Sequence, residues 1–149
     1  MRQKHEGGDK MRAEKERIIQ QSVDELWNKG DVSLADRLYA PNFINHDPSN
    51  PDVTNLETFK QWVLFLHKVF PDFHVTIEDT IAEDDKIVKR WRVTGTQKDT
   101  FMGIPPTGNG ITLEGIAIYR FEEDKIAELW WGYDVFGMLQ QLGAFPPKE

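Results

Sequence analysis

Phe73-His74-Val75-Thr76-Ile77-Glu78, followed by 86–96 (KIVKRWRVTGT), 111–121 (ITLEGIAIYRF) and 125–133 (KIAELWWGY), is the stretch that decides the fold. Phe73, Val75 and Ile77 alternate with His74, Thr76 and Glu78, the period of a strand with one buried face. Glu83-Asp84-Asp85 and Glu122-Glu123-Asp124 read as tight turns between strands. Met102–Gly110, with Pro105, Pro106 and three glycines, reads as a loop. Before Pro71 the period is helical. Ile19, Val23, Leu26 and Trp27 form one apolar stripe, which predicts a helix over about Arg12–Lys29, and Gly30 supplies its stop. Ser33 with Asp36 predicts a capped short helix carrying Leu34 and Leu38 and ending at Pro41. Phe43–His46 reads as a short extended segment and Asp47–Pro51 as a loop. Thr54 with Glu57 predicts a capping box opening a long helix to about Phe70, with Phe59, Trp62, Val63 and Leu66 on one side. Val135–Leu142 suits one or two closing helical turns. Helices first and a strand meander second predict an α+β domain. A curved antiparallel sheet with N-terminal helices on its concave side leaves a cone enclosing a pocket.

The 149 residues suit one domain, expected to bury about two thirds of the surface exposed by its unfolded chain. Residues 1–11, charged and without apolar periodicity, are expected as a disordered tail, and 12–149 as the single domain. With no cysteine, disulfides and thiolate chemistry are excluded. The formal charge, 18 − 25 = −7, repels phosphate backbones, so no nucleic acid partner is expected. No apolar stretch suffices to span a bilayer and Met1–Lys15 lacks the apolar core of a secretory signal, so no membrane partner and a cytoplasmic location are expected. Five Trp, nine Phe and three Tyr form either a well-filled core or a pocket for a flat apolar ligand.

Several segments resemble the SnoaL-like polyketide cyclase and ester cyclase group of the nuclear transport factor 2-like superfamily. They are Phe43-Ile44-Asn45-His46-Asp47-Pro48, Arg90-Trp91, Val93-Thr94-Gly95-Thr96, Phe101-Met102-Gly103-Ile104-Pro105-Pro106-Thr107-Gly108 and Gln141-Leu142-Gly143. The resemblance spans about Glu16–Ala144. It implies a cone-shaped, cystatin-like fold and an acid near the end of the last strand acting as general acid/base in an intramolecular aldol ring closure. It implies neither metal nor organic cofactor. Asp134, after Trp130-Trp131-Gly132-Tyr133, stands at the matching position. On the preceding strand the cyclases carry Gln and His, whereas this chain has Ile118, Tyr119 and Arg120.

Strand alternation places Glu128, Trp130, Gly132 and Asp134 on one face. A carboxyl flanked by aromatics loses hydration and exchanges protons nearer neutrality; the competing role for Asp134 is a helix N-cap for Val135–Leu142. His46 is the second catalytic candidate, because histidine titrates close to working pH and its strand-end position lets it orient or protonate a carbonyl. Its competing role is a turn histidine bonded to local backbone. Arg90 and Arg92 share a strand face and are candidates for an enolate or carboxylate oxygen, against a solvated sheet face. Trp91, Trp130 and Phe101 are expected as pocket walls, with Trp62 covering them from the long helix and Tyr119 among the ligand contacts. His5, His67 and His74 share no ligand spacing, so no metal site is expected. The leading expectation is a cofactor-independent enzyme acting on an apolar, carbonyl-bearing compound by aldol cyclisation or isomerisation. The alternatives are a non-catalytic module for a small hydrophobic ligand and an epoxide hydrolase-like enzyme, which needs two acids flanking an arginine. A homodimer through the convex sheet face is expected, because the last strand carries aromatics on both faces and the helices cover only one.

Overall fold

A computed structural model describes residues 2–145, with side chains from residue 8 onward. Helix α1 (Arg2–Gln21) starts about ten residues earlier than its apolar stripe predicts, and from Gly8 to Ala13 its side chains are exposed. Part of the expected tail therefore continues the helix; Met1 lies outside the described residues. Lys, Glu, Gln and Arg are good helix formers, so the hydrogen-bond ladder runs past the last core contact. At its other end α1 widens into a π-helical turn, Ser22–Trp27, in which the Asn28 N–H donates to the Val23 carbonyl at 2.9 Å. That turn buries Ser22, Val23, Leu26 and Trp27 together. Asn28 then bonds the sheet edge twice, accepting from Val75 N at 2.7 Å and donating to Val75 O at 3.1 Å.

A 3₁₀ turn, Val32–Leu34, and helix α2 (Ala35–Leu38) lead into strand β1 (Tyr39–His46). The cap here is Asp31, whose side chain accepts from Ser33 N, so the Ser33–Asp36 expectation is displaced. Helix α3 (Leu56–Val69) likewise opens one residue later than expected. Its reciprocal box joins Asn55 and Thr58: Thr58 N donates to Asn55 Oδ1 at 2.9 Å and Asn55 N to Thr58 Oγ1 at 3.0 Å. A Thr hydroxyl here does the work expected of a Glu carboxylate.

Strands β2 (His74–Glu83), β3 (Lys86–Thr96), β4 (Gly110–Glu122) and β5 (Lys125–Tyr133) form the antiparallel meander, and α4 (Val135–Gln141) follows. The order across the sheet is β1-β5-β4-β3-β2. β1 pairs parallel with β5, Asn45 opposite Leu129 and His46 opposite Trp130, so the sheet is mixed at one edge. Helices precede β1 and α3 follows it, which gives the chain the length it needs to reach that edge in the parallel sense. The face under α3 and the π-turn buries Ile87, Trp91 and Val93 of β3, Leu113, Ala117 and Tyr119 of β4, and Leu129 of β5. The opposite face presents Arg90, Ile116 and His46 to solvent. Gly95 lets α3 close down on this core, because a Cβ there would lie 3.0 Å from Phe70 Cβ.

The loop between β3 and β4 is tied down by Gln97, whose side chain is wholly buried. Gln97 Nε2 donates to the carbonyls of Asp99 and Ile104, both at 3.0 Å, and Oε1 accepts from Thr107 Oγ1 at 2.7 Å. The 101–104 turn, with Met102 at φ 52° and Gly103 at φ 78°, then aims Phe101 into the core.

Candidate functional site

Between α3, the π-turn and the covered sheet face lies a narrow apolar cleft, partly open to solvent, with about 90 Å³ of free volume. Val23, Trp27, Phe59, Leu66, Val93 and Leu113 are among the apolar side chains that wall it. Of the residues named from sequence, Trp62, Trp91, Phe101 and Tyr119 line it. Burial holds the Tyr119 and Tyr39 phenols neutral by raising both well above the usual tyrosine range.

The polar groups of the cleft come from the end of β1 and the turn after it. Alternation continues past His46, so Phe43, Asn45 and Asp47 share the covered side while Ile44 and His46 take the other. Asn45 is a strut: its Nδ2 donates to the Val53 carbonyl at 2.9 Å, and its Oδ1 accepts from Trp131 Nε1 at 2.7 Å. Asp47 is only 9% exposed. Its Oδ2 accepts from the Tyr133 hydroxyl at 2.8 Å and its Oδ1 from Ser49 N at 3.0 Å. Burial raises the Asp47 carboxyl above the ordinary aspartate range, and the bonds from Tyr133, Ser49 and Asn50 reduce that rise without cancelling it. Burial, then Asp47, pushes the Tyr133 phenol upward, so it stays a proton donor to the carboxylate. Asn50 closes the turn, its N–H donating to the Asp47 carbonyl at 2.9 Å, and also lines the cleft.

The other sequence candidates lie elsewhere. Asp134 is exposed and caps α4, accepting from Gly137 N at 2.8 Å. It is neither solvent-free nor among the residues lining the cleft, because the chain turns into α4 at this position. His46 and Trp130 sit together on the uncovered face, rings stacked at 5.2 Å, with His46 Nε2 2.6 Å from Glu128 Oε2. Trp130 alternates with Trp131, and it is Trp131 that points inward. Arg90 is exposed on that outer face. Arg92 donates to Glu78 at 2.7 Å, and that bond, with the attraction of Glu78, raises its own proton affinity. Two acids do flank an arginine, Glu128 and Glu122 around Arg120, but this trio is also on the outer face. Burial would raise Glu128, yet His46 and Arg120 outweigh it and hold the carboxyl below its ordinary value. His67 Nε2 bonds the Trp27 carbonyl and so fastens α3 to the π-turn. Among the described residues no group of three His, Asp or Glu is placed to hold a metal ion, and no helix is long and apolar enough to cross a membrane.

Sequence reasoning missed Asn45, Asp47, Asn50 and Tyr133. Asp47-Pro48 reads as a turn and hides the continuation; carrying the alternation one residue past His46 places Asp47 on the same apolar side as Asn45.

No curated protein matches the chain in sequence. Among solved structures it is similar to a polyketide cyclase candidate from Acidithiobacillus ferrooxidans, with 30% identity, a TM-score of 0.80, and 88% of this chain and 95% of the other covered. TsrD from Streptomyces laurentii aligns at 25% identity and TM-score 0.81, over 90% of this chain and 98% of that one. AclR from Streptomyces galilaeus, named as a hydroxylase candidate, aligns at 26% and TM-score 0.79, over 90% and 98%. The model of the SnoaL-like polyketide cyclases fits residues 17–142, so this helix-covered sheet and its apolar cleft belong to a chain of the SnoaL-like polyketide cyclase family.

Proposed function

We propose that the protein is a small-molecule enzyme of the cyclase or isomerase kind, in which Asp47 moves a proton at an apolar carbonyl compound held in the cleft. The observation that carries this reading is a nearly buried carboxyl with raised proton affinity, set among aromatic walls and bonded to Tyr133. A carboxylate in such a place is a stronger base than one in water and is near enough to neutrality to return what it takes. Asp47 removes a proton alpha to the ligand carbonyl and the electron pair moves onto oxygen as an enolate. In an aldol closure the enolate carbon attacks a second carbonyl of the same molecule, and Asp47 returns the proton to the resulting alkoxide. In an isomerisation the proton returns to a different carbon. Tyr133 and Ser49 keep the carboxylate aimed, and Trp62, Trp91, Phe101 and Tyr119 supply the flat apolar walls. The chemistry is carried by side chains alone.

The role given to Asp134 from sequence passes to Asp47, because an exposed cap has water to exchange protons with and no cleft to hold a substrate against. The rival reading is a binding module without chemistry. It is favoured by the fact that both Asp47 oxygens already accept bonds within the chain, as a carboxylate shaping a turn does. Proton exchange separates the two. α-Tetralone in heavy water is expected to exchange the protons next to its carbonyl faster with the protein than with buffer. Asp47→Asn is expected to slow the catalysed exchange by about 10²- to 10⁴-fold. Saturable binding of α-tetralone with exchange no faster than in buffer would leave the binding module in its place.

A further inference from the structure

We propose that Trp91 Nε1, together with Asn50 Nδ2 of the same cleft, forms its oxygen-binding subsite and selects a neutral carbonyl compound over a carboxylate. Trp91 is 6% exposed, lines the cleft, and its Nε1 is buried with no hydrogen-bond partner among the described residues. An indole N–H donates only; it has no tautomer and no flipped orientation that would satisfy it otherwise. Buried donors are rarely left unpaired, since each carries the full cost of its lost hydration. The neighbouring indole supplies the contrast: Trp131 Nε1 is paired with Asn45 Oδ1 at 2.7 Å on the same wall. Trp91 is also held in place. Its ring lies 6.1 Å from Trp131 and 5.9 Å from Tyr133, and opposite it in the ladder stands Gly115, whose missing side chain leaves room for the ring. A donor pinned this way cannot turn aside to find another partner.

Asn50 Nδ2 is the second buried donor without a partner among the described residues, and it too lines the cleft. It belongs to the turn that carries Asp47, so a ligand oxygen reaching these donors brings its adjacent carbon toward that carboxylate. None of the lining residues is a lysine or arginine, and Asp47 is the one carboxylate among them. A ligand carboxylate would therefore be desolvated beside a like charge with no cation to offset it. A ketone oxygen asks only for the two N–H donors, and these bond an enolate oxygen more strongly than the ketone it comes from. The assignment of that oxygen to the carbonyl beside the proton taken by Asp47 rests on the function proposed above; the donor subsite does not.

The test uses the full chain labelled with ¹⁵N and follows the indole N–H resonances, with that of Trp91 assigned on the unmodified protein. Three probes of similar shape are titrated: α-tetralone, tetralin (a CH₂ group in place of the carbonyl) and 1-naphthoate. The Trp91 indole proton is expected to move downfield saturably with α-tetralone and not with tetralin, and 1-naphthoate is expected to leave it in place. Trp91→Phe keeps an aromatic ring and removes the donor; it is expected to weaken α-tetralone about 3- to 10-fold more than it weakens tetralin, the worth of one hydrogen bond. Asn50→Leu gives the same comparison at a site outside the core and covers the case in which Trp91→Phe fails to fold. No saturable shift with α-tetralone, an equal shift with tetralin, or tighter binding of 1-naphthoate overturns the proposal. Loss of exchange in Asp47→Asn with an unmoved Trp91 indole refutes the subsite and leaves the role of Asp47. A shifted indole with no exchange does the reverse.

Discussion

Asp47 is buried against Tyr133, whereas Asp134 stands in solvent at the start of α4, so the two aspartates are expected to respond differently to substitution. The folded state holds the Asp47 proton more tightly than the unfolded chain does, because burial raises it. Stability therefore falls as pH rises from the unfolded value, about 3.9, through the folded one, and stays lower above it. Asn at this position cannot ionise, so Asp47→Asn is expected to lack that decline. Thermal midpoints of both proteins across this range should draw together as pH increases; parallel curves would show that Asp47 is not the buried acid described here. Asp47→Asn also gives up one of the two acceptors that serve Tyr133 and Ser49, which sets its deficit at low pH. Asp134 has a cap to lose and no desolvation to regain. Asp134→Ala is expected to cost about 1 kcal/mol and Asp134→Asn almost nothing. Turnover should survive in both; its loss in Asp134→Asn would return the catalytic role to that residue.

At the scale of elements, β4 is shaped around β3. Gly115 faces Trp91 in the ladder, and a Cβ there would run into the Trp91 ring and lie 2.7 Å from the Gly132 carbonyl. Backbone on one side and a packed ring on the other leave no cheap relaxation. Gly115→Ala is expected to cost about 1–3 kcal/mol as overpacking. That lowers the melting midpoint by about 2–4 °C for each kcal/mol in a domain near this size. It should also move the Trp91 indole resonance while leaving Trp130, on the outer face, unaffected. An unchanged Trp91 resonance would mean that the ring has freedom the packing denies it. The same economy appears at the far end of β4. Gln141 of α4 stands in for a missing strand by accepting from Thr112 N at 2.7 Å and donating to Thr112 O at 3.0 Å. α4 is thus tied to the sheet by a side chain as well as by the buried Met138 and Leu142.

At the scale of the whole molecule, the uncovered sheet face carries exposed apolar side chains. Ile44 on β1 and Ile116 on β4 are 46% and 48% exposed, and β5 with Trp130 lies between them. An apolar patch across three neighbouring strands, edged by the Glu128–Arg120–Glu122 charges, is the kind of surface that self-association covers. We propose that two copies meet through this face. Sedimentation at micromolar concentration is expected to show a species of twice 17.3 kDa, and Ile116→Lys to return it to the single mass with its fold intact. A wild-type protein that sediments only at 17.3 kDa excludes the dimer.

Local pattern was enough for the α+β class, the helix-then-meander order and the bounds of the longer strands. Those features rest on period, turn residues and caps, which act over a few neighbours and are written into neighbouring residues. Even there the caps differ by a residue or more, because Asp31 caps the 3₁₀ turn ahead of α2 and the Asn55–Thr58 pair caps α3. The family resemblance was legible too, in short segments scattered along the chain, and the family model matches residues 17–142. What only the tertiary structure decided is which face of each strand the helices cover. Alternation separates Trp130 from Trp131 and His46 from Asp47, but an isolated strand has two equivalent sides. The docking of α3 and the π-turn turns Trp131 and Asp47 inward and leaves Trp130 and His46 outside. Strand pairing then brings Asp47 to Tyr133, 86 residues further along the chain. That contact creates the buried acid, and it depends on parallel pairing between distant strands, which no local period encodes.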